Sequence, residues 1–173
     1  MENLNLEMIK YACCFTGHRP QKLPWGFNEQ DERCISMRQR TKEEIENAIQ
    51  EGYTIFLCGM ALGFDMICAE LVLELKKKYP HIKLICVLPC KDQSNIWRKD
   101  QQERYAKILK KADSVHCLYN NYNENPNCML ERNDYMLNNS SMVIALFNGK
   151  KGGTQNTLLK AERQGLKVEI VKP

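Results

Sequence analysis

Short apolar segments alternate with helix-like segments along almost the whole chain, and this alternation limits the possible folds more than any other feature. Six segments of five to seven residues have the composition of buried strands: residues 11–15, 53–57, 82–88, 114–118, 142–147 and 167–171. Helices are predicted between them at residues 29–51, 64–79, 94–112 and 128–138, and a last helix ends at residue 164. Parallel strands require crossover helices of this kind.

We therefore predict an α/β fold, in which a single Rossmann-like domain spans residues 1–173 and has its core at about residues 11–171. A mostly parallel sheet of about six strands would carry helices on both faces, because crossovers between parallel strands are right-handed. No linker, repeat or low-complexity segment divides the chain. In such sheets ligands bind beyond the carboxyl ends of the strands, where the winding direction reverses.

Composition and charge limit the partners of the protein. The chain is 43% hydrophobic and 27% charged, with a net charge of +4, and its basic residues lie among acidic ones. This mild charge permits a phosphorylated ligand and does not demand nucleic acid. The first ten residues lack the apolar region of a secretory signal, and no apolar run is long enough to cross a membrane. We expect a cytoplasmic protein without a membrane partner.

The chain contains nine cysteines, but it has no C-x-x-C pair, and its three histidines lack the spacing of metal ligands. We therefore predict no metal site. Five cysteines fall inside or at the ends of the strand-like segments, where a reduced cysteine packs as a small hydrophobe. Packing thiols are the main interpretation, and a reactive Cys58 or Cys90 beside a ligand is the alternative.

Three glycine-rich turns after strands carry the functional signal. Their sequences are TGHRP from residue 16, CGMALGFD from residue 58 and FNGKKGGTQNT from residue 147. Glycines let backbone N–H groups approach an anion closely, and a following helix N-terminus favours negative charge. Thr154 is placed to cap the last helix, and Thr157 is near enough to help. One such turn can simply reverse the chain, but three at one sheet edge predict an anion site.

The sequence lacks the strict G-x-G-x-x-G dinucleotide fingerprint and the P-loop pattern G-x-x-x-x-G-K-[ST]. An ordinary nicotinamide dehydrogenase and a P-loop ATPase are therefore disfavoured, and no cofactor is required. Two longer segments point elsewhere: GMALGFDMICAE from residue 59 and ERNDYMLNNSSMVIALFNGKKGGTQNT from residue 131. They resemble the two signatures of the SLOG superfamily, a Rossmann-like group that contains DprA (Smf) and the LOG cytokinin-activating proteins. TGHRP, together with Pro89, Gln93 and Trp97, is similar to the YpsA-like branch of that group.

The resemblance covers about residues 11–171 and implies a sheet whose strand ends bind a nucleotide-derived ligand, such as ADP-ribose or a nucleoside monophosphate. Arg19 and Arg132 would clamp a phosphate, and Asp65 would accept hydrogen bonds from ribose hydroxyls. His18 is either a phosphate donor or general acid, or a capping and packing residue. With the turns themselves, the expected ligand or phosphate contacts are Thr16, Gly17, His18, Arg19, Gly59, Ala61, Gly63, Asp65, Arg132, Asn133, Gly152, Gly153, Thr154 and Thr157.

One position departs from the pattern of the LOG enzymes. Those enzymes have P-G-G-x-G-T-x-x-E, and the glutamate helps to cleave the N-glycosidic bond of a nucleoside monophosphate. Here the proline is missing and Thr157 occupies the glutamate position. Since this cleavage requires a carboxylate beside the ribose, the remaining catalytic candidates are Asp65, Glu70 and Arg132, with Glu162 as a further carboxylate. Glu70 and Glu162 are also explained as carboxylates on a helix surface.

Three functions stay open at this stage. The first is a sensor or carrier that binds a nucleotide-derived ligand of the ADP-ribose or nucleoside phosphate type. The second is an enzyme of the LOG type, a nucleoside 5′-monophosphate phosphoribohydrolase or another N-glycosidase. The third is DprA-like binding of single-stranded DNA, which the mild charge disfavours. Whether the protein is an enzyme is left open, and the family resemblance allows a homodimer.

Residues 94–112 hold two further features with alternative interpretations. Trp97 and Tyr105 have helical spacing, so we favour core packing over a platform for base stacking. The basic residues of this segment are interpreted as a solvated face rather than a nucleic-acid contact, because acidic residues lie among them. The loop at residues 119–122 is either a lid over the site or ordinary surface.

Overall fold

A computed structural model describes residues 5–173 of the chain. Its strands are β1 (Ala12–Gly17), β2 (Ile55–Cys58), β3 (Lys83–Cys90), β4 (Ser114–Tyr119), β5 (Met142–Leu146) and β6 (Lys167–Val171). Its α-helices are α1 (Leu6–Ile9), α2 (Glu32–Gln50), α3 (Phe64–Leu75), α4 (Lys99–Lys111), α5 (Cys128–Asn138) and α6 (Gly153–Arg163). Two 3₁₀ turns cover Pro20–Lys22 and Tyr122–Glu124.

The six strands form one parallel sheet in the order β4-β3-β2-β1-β5-β6. The first four strands are added in one direction from β1, and β5 returns to the other side of β1. Cys14 therefore pairs with Leu57 of β2 and with Val143 of β5. The winding direction reverses between β1 and β5, which makes their carboxyl ends the switch point of the sheet.

Helices cover both faces of the sheet, as the sequence predicts. Alternate residues of β1 point to opposite sides: Phe15 packs in a cluster with α2, α3 and α4, whereas Cys14 packs in a cluster with α5 and α6. Phe15 stacks on Phe56 of β2 with their ring centroids 6.0 Å apart. Right-handed crossovers account for the division, because the helices change face when the winding direction reverses. The predicted α/β, Rossmann-like architecture is confirmed.

Several boundaries differ from the sequence prediction. β1 continues through Thr16 and Gly17, because these residues pair with Ala145 and Leu146 of β5. β3 does not stop before its proline and runs on to Cys90. α4 begins at Lys99 and not at residue 94, since the Gln102 amide donates hydrogen bonds to three carbonyls between residues 94 and 97 and holds them in a turn. The short α1 was not predicted.

Eight of the nine cysteines are buried, and all nine are free thiols. Burial raises the pKa of Cys58 far above its ordinary value and that of Cys90 to about 12. A thiol with so high a pKa forms little reactive thiolate, which favours the packing interpretation.

None of the helices within residues 5–173 is both long and apolar enough to cross a bilayer. The prediction that there is no secretory signal concerns residues 1–10, and residues 1–4 lie outside the part that the structure describes.

Candidate functional site

A cavity of about 310 Å³ opens at the carboxyl ends of β1, β2 and β5, and we call it the switch-point cavity. Three turns and the start of α5 form its walls. Ten of the fourteen residues predicted to bind the ligand line it: Thr16, Gly17, His18, Arg19, Ala61, Asp65, Arg132, Asn133, Gly153 and Thr154. The other four, Gly59, Gly63, Gly152 and Thr157, are not among the lining residues.

Arg132 of α5 is the buried cation of the cavity, with 4% of the residue exposed. Its Nη1 donates a hydrogen bond to the carbonyl oxygen of Gly59, and its Nε donates to Asn133 Oδ1 at 2.9 Å. Its Nη2 donates to no described residue, so this nitrogen remains available to a ligand. A Cβ atom at Gly59 would overlap the guanidinium and would lie only 2.8 Å from Nε. Gly59 is therefore required by the position of Arg132.

Asp65, in the first turn of α3, is the buried anion of the same cavity, with 6% of the residue exposed. Its Oδ2 accepts a hydrogen bond from the Ala61 N–H at 3.2 Å, and its Oδ1 accepts none from a described residue. Burial raises the pKa of Asp65, and the positive charges of Arg132 and Arg19 oppose that shift. No nitrogen–oxygen pair joins Asp65 to Arg132 within 4.0 Å. Both charges are buried, yet they do not form a direct ion pair.

His18 fastens the first turn to the third. Its Nε2 accepts a hydrogen bond from the N–H of Asn148 at 3.3 Å, and its Nδ1 lies 3.4 Å from Thr154 Oγ1. Because a backbone N–H can only donate, the neutral ring carries its proton on Nδ1 and donates to Thr154. Burial lowers the pKa of His18, and the ring packs on Phe147. These contacts favour the packing interpretation of His18 over the general acid.

The glycines of the third turn differ from each other. Gly152 has a φ of 152°, which favours glycine, and a Cβ atom there would lie 2.9 Å from Lys22 Nζ. Gly153 has no such φ, and a Cβ atom there would meet nothing within 4 Å. Gly153 also begins α6, whose first N–H groups have no partner within the helix. Neither packing nor backbone conformation requires glycine at position 153.

Thr157 and Gly63 support the cavity from behind its walls. Thr157 Oγ1 donates to the Gly153 carbonyl at 3.0 Å and accepts from Asn133 Nδ2 at 3.4 Å, so it orients Asn133. Gly63 has a φ of 90°, and a Cβ atom there would lie 2.9 Å from Pro20 Cδ. Both residues therefore have structural reasons for their identity that involve no ligand.

The second turn is held in a strained conformation. Buried Met60 has a φ of 58°, a left-handed conformation that costs a residue with a side chain about 1–3 kcal/mol. Gln93, in the segment after β3, holds this turn: its Nε2 donates to the carbonyl of Met60 at 3.1 Å and lies 3.4 Å from that of Gly59. In the sequence, Gln93 is singled out only by the family resemblance.

The same segments identify the family by comparison with known proteins. A family model described as the YspA SLOG family matches residues 13–169. The chain belongs to the YspA SLOG family. The predicted SLOG membership and YpsA-like branch are thus confirmed, and the comparison covers all three turns.

Curated relatives of this YspA SLOG chain include proteins of Bacillus subtilis and Brevibacillus brevis. The SPbeta prophage-derived protein YoqJ of Bacillus subtilis is 34% identical over 140 residues, which is 75% of this chain and 82% of the relative. A UPF0398 protein of Brevibacillus brevis is 28% identical over 134 residues, which is 78% of this chain and 71% of the relative.

Two solved structures of DNA processing protein A (DprA) share the fold. DprA from Streptococcus pneumoniae has a TM-score of 0.62 and 14% identity, and the match covers 96% of this chain and 52% of that one. The chain thus spans about half the length of that protein. DprA from Helicobacter pylori, described for its single-stranded DNA binding mode, has a TM-score of 0.61 and 15% identity. That match covers 97% of this chain and 69% of the DprA chain. At these identities the likeness concerns the fold alone.

The YspA SLOG chain places the other candidate carboxylates away from the cavity. Glu70 accepts hydrogen bonds from Arg104, the closest at 2.7 Å, and lies 3.3 Å from Arg38. Glu162 is exposed on α6. Neither residue lines the cavity, so Asp65 is the one carboxylate among the lining residues.

The charges of the cavity do not balance. Arg19, Lys22 and Arg132 contribute three cations, Asp65 contributes one carboxylate, and His18 is neutral. Such a cavity attracts anions. No group of three or more potential metal ligands lies together within residues 5–173.

Five residues that line the cavity were not predicted as ligand contacts from the sequence: Phe15, Gln21, Lys22, Met129 and Leu130. Gln21 and Lys22 follow the first turn directly. Met129 precedes Arg132 by three positions and so lies on the same side of α5. Helical spacing from Arg132 could have found Met129, whereas nothing in the sequence singles out Gln21.

Proposed function

We propose that this protein binds a nucleotide-derived ligand, of the nucleoside phosphate or ADP-ribose type, in the switch-point cavity, and that it acts as a cytoplasmic sensor or carrier. One observation carries the proposal: buried Arg132 and buried Asp65 line one cavity without pairing directly. A buried charge without a partner is costly, and a ligand with an anionic end and hydroxyl groups satisfies both residues.

The phosphate end of the ligand is assigned to Arg132, to the N-terminus of α6 and to the two outer cations. The Nη2 of Arg132 is the nitrogen left without a partner among the described residues, and it can donate a charge-assisted hydrogen bond to a phosphate oxygen. The N–H groups at Gly153 add an anion site of the kind found at helix N-termini, with room above the Cα atom. Arg19 and Lys22 line the same cavity and supply further positive charge.

The sugar of the ligand is assigned to Asp65. Its Oδ1 has no donor among the described residues, and a ribose hydroxyl can donate a hydrogen bond to it. Acidic side chains at the strand ends of Rossmann-like sheets bind ribose hydroxyls in this way. The Ala61 N–H holds the other oxygen and so fixes the orientation of the carboxylate.

Binding is better supported than hydrolysis of an N-glycosidic bond. Such a hydrolase needs a carboxylate near the ribose, and the cavity offers only Asp65, which the proposal already uses to hold the sugar. The Thr157 hydroxyl, at the position of the LOG glutamate, donates to the Gly153 carbonyl. The likeness to DprA adds no specific support for DNA binding.

Two carboxylates of α3 provide a matched test. We expect AMP, other nucleoside monophosphates or ADP-ribose to raise the melting temperature of the wild type. Asp65→Asn should weaken the binding measured by calorimetry about tenfold or more, because a charged hydrogen bond is lost. Glu70→Gln should bind like the wild type, since Glu70 lies outside the cavity.

Chromatography of the same samples for free base separates the binding protein from the enzyme. No release of base is expected. Release by the wild type, lost in Asp65→Asn, would establish the hydrolase instead. If no nucleotide changes the melting temperature, or if Asp65→Asn binds as tightly as the wild type, the proposed function is wrong.

A further inference from the structure

A second cavity of about 380 Å³ continues from the switch-point cavity toward the segment after β3, and we call it the side cavity. The two cavities share Arg19, Gln21, Ala61 and Met129, so a ligand in one can extend into the other. The remaining lining residues of the side cavity are Phe27, Leu62, Gln93, Ile96, Trp97, Arg98 and Gln101. Its size falls in the range of small-molecule sites, about 300–1,000 Å³.

The walls of the side cavity combine apolar and aromatic side chains with three glutamines and two arginines. Ile96 is 94% exposed and Phe27 is half-exposed, and the Arg98 guanidinium lies 5.9 Å from the centroid of the Phe27 ring. Trp97 is partly buried and meets Tyr105 edge to face, with ring centroids 5.2 Å apart. Trp97 therefore packs against the core, as the sequence predicts, and also contributes to the cavity wall. Flat apolar walls of this kind suit a planar ring.

Gln93, one of the residues that line the side cavity, has a buried acceptor without a donor. Gln93 is 7% exposed, and its Nε2 is held by the carbonyls of Gly59 and Met60. These two acceptors assign the amide orientation, because a carbonyl cannot donate. The Gln93 Oε1 atom is buried and has no hydrogen-bond partner, a state shared within residues 5–173 only by Ser140 Oγ. A buried acceptor left without a partner costs about 1–3 kcal/mol and indicates a missing donor.

The opposite flank of the switch-point cavity has a different chemistry. A groove of about 1,080 Å³ lies there and is lined by Lys22, Lys150, Lys151 and Lys172. Lys22 and Gln21 connect this groove to the switch-point cavity. Four lysines favour negative groups, whereas the side cavity combines apolar walls and three glutamines with two arginines, Arg19 and Arg98, of which Arg98 is held by Asp100. The two flanks therefore favour one orientation of a bound nucleotide, in which its phosphate lies toward the lysines and its base lies toward Phe27.

We infer that the side cavity is a purine site, which binds the base of the ligand whose ribose phosphate occupies the switch-point cavity. This inference rests on the proposed function. The base lies against Phe27 and Ile96, and one of its N–H groups donates a hydrogen bond to Gln93 Oε1. Adenine and guanine both carry such a donor, and their two fused rings fill more of the apolar wall than a pyrimidine does.

The contribution of the base can be measured by comparing ligands with and without it. Calorimetry should show that wild-type protein binds AMP or GMP about tenfold or more tightly than ribose 5-phosphate, since stacking is worth about 1–3 kcal/mol per base. CMP should lie between them. Phe27→Ala and Ile96→Ala should each reduce the preference for a purine about threefold or more, and should leave the affinity for ribose 5-phosphate unchanged.

Ile35→Ala is the matched control, because Ile35 is also exposed and does not line either cavity. It should retain the full purine preference. The purine site is wrong if ribose 5-phosphate and AMP bind equally, or if Phe27→Ala and Ile96→Ala both keep the wild-type preference. Failure of every phosphate ligand to bind would instead overturn the proposed function, and the purine site with it.

Discussion

The second and third turns both line the switch-point cavity, but they are built in opposite ways. In the second turn, at residues 58–65, the buried carbonyl of Gly59 lies within hydrogen-bonding distance of two side chains, Arg132 and Gln93, that come from distant parts of the sequence. In the third turn, at residues 147–154, Lys150 and Lys151 are exposed, and the N–H of Asn148 is held by His18.

This difference separates a glycine that packing requires, Gly59, from one that neither packing nor backbone conformation requires, Gly153. Gly59 leaves space for the Arg132 guanidinium, so the second turn is part of the packed interior. A Cβ atom at Gly153, by contrast, would meet no other atom within 4 Å. The second turn therefore helps to determine the shape of the cavity, and the third turn leaves open backbone at the place where the proposed phosphate would bind.

The largest expected effect is the loss of Arg132. Arg132→Met leaves Asp65 buried without its nearby positive charge and removes the donor to the Gly59 carbonyl. We expect the free energy of unfolding, measured with urea, to fall by about 3–5 kcal/mol. Lys150→Met, in the open third turn, should change it by less than about 0.5 kcal/mol. Equal losses of unfolding free energy in Arg132→Met and Lys150→Met would contradict the proposed difference between the second and third turns.

The next effect concerns the packed glycine. A methyl group at Gly59 overlaps Arg132, so Gly59→Ala should lower the free energy of unfolding by about 1–3 kcal/mol, the usual cost of overpacking. Gly153→Ala should stay within about 0.5 kcal/mol of the wild type, since its methyl group enters open space. Urea unfolding of both variants checks this, and a larger loss for Gly153→Ala than for Gly59→Ala would contradict it.

A smaller effect depends on pH. Burial raises the pKa of Asp65 above its ordinary value of 3.8, so ionised Asp65 destabilises the folded chain. This penalty is absent below pH 3.8 and appears as the pH rises through the folded-state pKa. Asp65→Asn should therefore unfold at higher urea concentration than the wild type at neutral pH, and the difference should disappear in acid. If the two proteins differed in urea midpoint by the same amount at every pH, the raised pKa of buried Asp65 would be wrong.

Among the effects expected for the ligand-free protein, the smallest concerns His18. Burial lowers the pKa of His18 below 6.5, so its contribution to stability is complete above that value and is lost as the pH falls through the lowered pKa. Protonated Nε2 cannot accept from Asn148, and the third turn should loosen while the second stays intact. Hydrogen exchange at the Asn148 amide should accelerate in acid relative to that at Ile67, whose N–H donates to the Gly63 carbonyl of the second turn. Parallel changes at both amides would mean that the turns are not independent.

The order of the elements and the three turns could be predicted from the sequence, because strand-like segments and glycine clusters are local signals. The parallel sheet with helices on both faces follows from the alternation alone. The cavity that brings Arg19, Asp65, Arg132 and Gly153 together follows once the sheet is parallel, since the three turns then share one edge.

The roles of individual residues could not be predicted in the same way, because they depend on contacts between distant segments. The identity of Gly59 is explained by Arg132, which lies 73 positions later in the chain. Glu70 has the sequence position of a possible catalytic residue, but α4 supplies Arg104 to bind it away from the cavity. The start of α4 was placed too early because nothing local reveals that Gln102 holds the preceding carbonyls.

The affinity of Gly153→Ala for AMP, measured by calorimetry beside the wild type, tests the central claim most directly. If the open backbone at Gly153 receives the phosphate, the variant should keep the wild-type melting temperature and bind about tenfold or more weakly, a loss of about 1.4 kcal/mol. Wild-type affinity in Gly153→Ala would contradict the claim that the third turn is left open for a ligand.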